Sequence, residues 1–98
     1  MKFIDTLIPQ SAFLFLLRHT ATREDYSRGN PLFVVYYRHK NGAIGSATLT
    51  IPNLAIFASQ CKWSSYKDEK EFRDYYIPSL RTIPYESDKV VYRWRLND

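Results

Sequence analysis

The segment "KVVYRWRLN", Lys89 to Asn97, alternates in side-chain character with a period of two, and this constrains the fold more than any other feature of the chain. One parity holds Val90, Tyr92, Trp94 and Leu96; the other holds Lys89, Val91, Arg93 and Arg95. Alternate residues of a β-strand point to opposite faces, so the segment predicts a strand with one apolar side and one cationic side. Such a strand suits a sheet covered on one face and open to water or a partner on the other.

A second alternating region supplies neighbours for it. The breaker cluster "RGNP" is followed by "LFVVYYRHK", then "NG", then "AIGSATLTI" before Pro52. Asn41 and Gly42 tolerate the positive φ of a tight turn, so these residues predict a hairpin, with Gly45 a candidate bulge. Leu32, Val34, Tyr36, Arg38 and Lys40 share one face, and Phe33, Val35, Tyr37 and His39 share the other.

Helical spacing fills the remainder. Pro9 suits a first helical position, and a helix is expected from there to about Asp25, with Phe13, Leu16, Leu17 and Thr20 inward and Ala12, Leu14 and Phe15 widening a nearly enclosed first half. Asn53 is the expected cap of a second helix carrying the stripe Leu54, Phe57, Ala58 and Cys61. Ser65, with Asp68 three residues on, resembles a capping box for a third helix. Phe72, Tyr75 and Tyr76 are its inward face, Glu69 and Arg73 can pair across one turn, and Pro78 ends it by Ile77. "PSLRTIPYESD" is expected to be a loop. The order is α, β, β, α, α, β: a small α+β single domain over residues 1–98, with a three-stranded antiparallel sheet and helices packed on one face.

Composition agrees with a folded, non-membrane protein. Of 98 residues, 45% are apolar, enough for a core without staples. The single cysteine excludes an internal disulfide framework and suits a reducing compartment. Near the N-terminus the uninterrupted apolar run Ala12 to Leu17 is far short of the roughly 20 residues a membrane span needs. No small-x-small cleavage pattern follows it. A soluble cytoplasmic protein is expected. Net charge is +4, and the acids gather in "REDY" and "KDEKEFRD", leaving "YYRHK" and "KVVYRWR" free of them.

The basic bias thus falls on the expected strands, and it sets the leading functional expectation: a non-enzymatic binding protein whose sheet face engages nucleic acid or a nucleoprotein complex. Tyr36, Arg38, Lys40, Lys89, Arg93 and Arg95 would form that face, cations meeting phosphates and Tyr36 offering a stacking surface. An alternative is a protein-binding inhibitor using exposed aromatics, namely Tyr26, Trp63, Tyr66 and Tyr85. A third is a metal-independent endoribonuclease, since His19 and His39 each stand beside a cation.

Other chemistry is not signalled. Cys61 falls in an apolar stripe and reads as an inert buried thiol. Asp68, Glu69, Glu71 and Asp74 lie in or near a first helical turn, where the helix dipole favours acids without any metal. No cofactor, metal site, phosphate loop or membrane partner is expected, and no feature sets an oligomeric state. The helix-then-hairpin start is loosely similar to the double-stranded RNA-binding domain. That fold continues with a strand and a terminal helix where this chain has two helices and a strand, so no residue roles carry over. In size and style the chain resembles compact phage and mobile-element regulators, including anti-CRISPR proteins.

Overall fold

The computed structural model describes residues 1–80 and 90–97. Strands β1 (Lys2–Ile8), β2 (Leu32–Arg38), β3 (Ile44–Thr50), β4 (Lys62–Trp63) and β5 (Val90–Leu96) form one sheet in the order β3-β2-β5-β1-β4. The outer pairs β2/β3 and β1/β4 are antiparallel, whereas β5 runs parallel to both β1 and β2. The expected α+β class holds, but the three-stranded antiparallel sheet is corrected to a five-stranded mixed one. The difference comes from β1, where Ile4, Thr6 and Ile8 alternate with Phe3, Asp5 and Leu7, and from the two-residue β4.

Helices α1 (Gln10–Arg18), α2 (Arg23–Ser27), α3 (Ile51–Gln60), α4 (Tyr66–Glu71) and α5 (Ile77–Ser79) complete the chain, with a π-helical turn at Phe72–Tyr76 joining the last two. The single first helix expected to reach Asp25 is two. His19 leaves helical geometry, and Thr22 starts α2 with a full capping box to Asp25. Helix α3 begins directly after Thr50, with Pro52 in its first turn, so Asn53 is not its cap. Ser65 does accept a hydrogen bond from the Asp68 amide at 3.1 Å. The helix it starts does not stop at Ile77: the π turn shifts the hydrogen-bond register, Ile77 N–H reaching Phe72 O, and α5 carries Pro78 within its first turn.

The inner sheet face supplies Ile4, Ile8, Val35, Leu49 and Trp94, and the helices lay Ala12, Leu16, Leu54, Phe57, Phe72 and Tyr76 against it. Each large side chain so enclosed contributes about 1.5–3 kcal/mol relative to exposure. The α3 stripe Leu54, Phe57, Ala58 and Cys61 is buried as expected, whereas Leu14, Leu17 and Tyr75, expected inward, are exposed. The hairpin pairs without interruption from Leu32↔Thr50 to Arg38↔Ile44, so Gly45 is not a bulge. A Cβ there would lie 2.6 Å from the Tyr37 ring, and the glycine makes room for that side chain. In the turn, Gly42 takes a positive φ and Asn41 does not; Asn41 instead accepts the Ala43 amide through its side chain. No described helix is long and apolar enough to cross a membrane.

Candidate nucleic-acid interface

The described helices that build the core lie on one side, so no described helix covers the outer sheet face. Parity on β2 turns Tyr36 and Arg38 outward while Val35 and Tyr37 are buried. Parity on β5 turns Arg93 and Arg95 outward while Trp94 is buried. Register then brings the two strands' cations together: Arg38 pairs with Arg95 on adjacent parallel strands, beside the buried pair Tyr37 and Trp94. Tyr36, Arg38, Ile44, Arg93 and Arg95 surround a shallow concavity of about 440 Å³, with Asp5 on its far side.

Asp5 is the acid in this concavity, contributed by the unforeseen strand β1. It stands opposite Arg93 in register and accepts a hydrogen bond from Arg93 Nη2 at 2.8 Å through Oδ2. Its Oδ1 lies 3.9 Å from Arg95 Nε. The Arg93 guanidinium also sits 4.8 Å from the Phe3 ring centroid, a cation–π contact from the same strand. Arg38 has no carboxylate partner among the described residues. Arg93 and Arg95 therefore share one carboxylate, and Arg38 stands beside them without one among the described residues. The alternation of "KFIDTLI" was the signal for Asp5 and Phe3, but it is short and runs straight into the apolar stretch of α1.

Of the other residues expected on this surface, Lys40 is exposed in the hairpin loop beyond β2, and Lys89 lies outside the described residues. The aromatic set divides. Tyr26 on α2 and Tyr66 at the start of α4 are exposed, with no ring contact between them among the described residues. Trp63 is half-buried, its indole N–H donating to Ala58 O at 2.8 Å and its ring 5.0 Å from Phe72 and 5.4 Å from Trp94. It therefore acts as a wall of the core. Tyr85 lies outside the described residues.

The two histidines make different contacts. His19 stacks on Phe15 at 4.1 Å with its Nδ1 3.0 Å from Phe15 O, and His39 packs edge-on to Phe13 and Tyr37. Cys61 is enclosed, its Sγ 3.3 Å from Phe57 O, and burial pushes its thiol pKa up to about 12, far from thiolate reactivity. The acids of α4 and the π turn are engaged by cations. A hydrogen bond from Lys2 holds the Asp68 carboxyl below its ordinary range, and one from Lys70 does the same for Asp74. Arg73 stands 4.0 Å from Glu69, the expected pairing across one turn. No cluster of three metal-ligating side chains occurs among the described residues. The chain matches no protein-family model, no curated protein and no solved structure.

Proposed function

We propose that this chain is a small binding protein that engages nucleic acid, free or within a nucleoprotein complex, through the sheet face that no described helix covers. The observation that carries the reading is the register pairing of Arg38 with Arg95 beside Arg93, on a face with a single acid among its described residues. Cations forced side by side repel one another, and an anion placed between them relieves that repulsion while accepting their hydrogen bonds. Phosphate is such an anion, and arginine's planar fork suits it.

The test is affinity for an oligonucleotide as a function of salt. The logarithm of the binding constant should fall linearly with the logarithm of salt concentration, by about 0.7 to 0.9 for each phosphate neutralised. Arg38→Ala with Arg95→Ala should lower that slope by about two phosphates' worth. Binding that ignores salt, or a slope untouched by the double substitution, overturns the reading.

A second reading has one observation in its favour: Phe3, Val34, Tyr36 and Ile44 are also exposed on this face, and aromatic and aliphatic side chains beside arginine are the composition of protein-binding hot spots. On that reading the partner is an acidic protein surface. Its complex would survive nuclease treatment and weaken on Ile44→Lys, whereas a nucleic-acid complex would be lost with the nuclease.

A further inference from the structure

We propose that the platform selects single-stranded nucleic acid over duplex, seating one unpaired nucleotide in the concavity with its base on Tyr36 and its phosphate between Arg38 and Arg95. The inference rests on the nucleic-acid reading and adds the form of the ligand.

Three features favour it. Tyr36 is 64% exposed and makes no ring contact among the described residues, so one of its faces is open for stacking. In a duplex the flat faces of the bases are taken up by their neighbours, and an exposed tyrosine gains nothing from them; an unpaired base supplies a face directly. Tyr36 and Arg38 are two residues apart on one strand, about 6.6 to 6.8 Å, which is comparable with the reach from a base to its own phosphate.

Shape argues the same way. The described helices lie on the opposite side of the sheet, so none of them can enter a major groove from this face. Five strands spaced about 4.8 Å apart span roughly 19 Å, wider than the groove of about 12 Å. The concavity of about 440 Å³ falls in the range of small-ligand sites and matches one nucleotide better than a helical segment.

Asp5 supplies a polar contact to the base. Its Oδ2 is committed to Arg93, but Oδ1 is beyond hydrogen-bonding distance of Arg95 and keeps its acceptor capacity. A carboxylate would repel a second phosphate but accept N–H groups from an exposed base edge, such as the amino groups of guanine or cytosine. Duplex pairing engages those edges.

The experiment compares one labelled oligonucleotide sequence, as single-stranded DNA, single-stranded RNA and annealed duplex, by fluorescence anisotropy at fixed salt. Either single strand is expected to bind about 5- to 150-fold more tightly than the duplex, the range one stacked base supplies. Tyr36→Ala should erase that preference while leaving the salt slope intact, and Tyr36→Phe should retain it. The residue is exposed, and an unchanged circular dichroism spectrum would verify the fold of each variant. Duplex bound as tightly as single strand, or Tyr36→Ala weakening both probes equally, overturns the inference and leaves the cationic platform standing. Absence of salt-dependent binding to every probe overturns the platform itself.

Discussion

Thr6 lies on the inner face of β1 with no exposed surface, and its hydroxyl has no hydrogen-bond partner among the described residues. It stands in register with Trp94 on one side and Trp63 on the other, so the hydroxyl is dehydrated among aromatic walls. An unpaired buried hydroxyl costs about 1–3 kcal/mol. Valine has nearly the same shape without that cost, so Thr6→Val should raise unfolding stability by about 1 kcal/mol, read as a higher urea midpoint with an unchanged slope. A lower midpoint would show that the hydroxyl has a partner after all. The same scale shows which side chains the sequence disclosed. Arg93 and Arg95 face outward as parity required, because alternation in a half-covered strand leaves no other arrangement. Asp5 was not legible as their partner, since pairing Arg93 with a residue 88 positions away depends on strand order rather than on anything local.

At the scale of elements, the exposed edge of β3 shows how pairing geometry separates neighbouring residues. His39 N–H donates to Ala43 O across the hairpin, and Ala21 N–H donates to Thr48 O from the opposite side. Odd-numbered residues of β3 therefore aim their backbone groups at β2, and even-numbered ones aim theirs away. Ser46 N–H points to the outer edge, where a proline is tolerated, while Ala47 N–H belongs to the ladder with Val35. Ser46→Pro should change stability by less than about 1 kcal/mol, whereas Ala47→Pro should cost about 3 kcal/mol or more. Thermal melts of the two variants distinguish them, and equal losses would mean that the register is wrong. The hairpin itself was legible because its turn and its alternation are local. β1 and β4 were not: one adjoins an apolar helix that masks its period, and the other is two residues long, a strand by virtue of its partner Thr6–Leu7 alone. The break between α1 and α2 was hidden for a related reason, since "RHTATRED" continues a helical composition and the capping box at Thr22 decides the boundary.

For the whole molecule, the last strand in sequence is the middle strand in space. β5 pairs with β1 from Lys2↔Val90 to Ile8↔Leu96 and meets β2 at Tyr37↔Trp94 and Arg38↔Arg95, so it joins the two halves of the sheet. Its Trp94 sits among Phe57, Trp63 and Phe72, at ring distances of 5.2, 5.4 and 5.8 Å. Removing such a tryptophan side chain alone costs about 3–5 kcal/mol, against a total stability of about 5–15 kcal/mol for a domain of ordinary size. Loss of the strand's backbone pairing and of Tyr92 and Leu96 adds to this. A chain ending at residue 89 should therefore show no cooperative thermal transition and a collapsed amide dispersion by NMR. A sigmoidal melt from that shortened chain would mean that the β2/β3 hairpin and the helices fold without the centre of the sheet. On the proposed function, the same topology ties binding to folding. Asp5 comes from β1, Arg38 from β2, and Arg93 and Arg95 from β5, and these side chains meet only when the parallel strands close. Oligonucleotide binding and tryptophan burial should then disappear at one urea midpoint, because no partly folded form that lacks β5 contains the site.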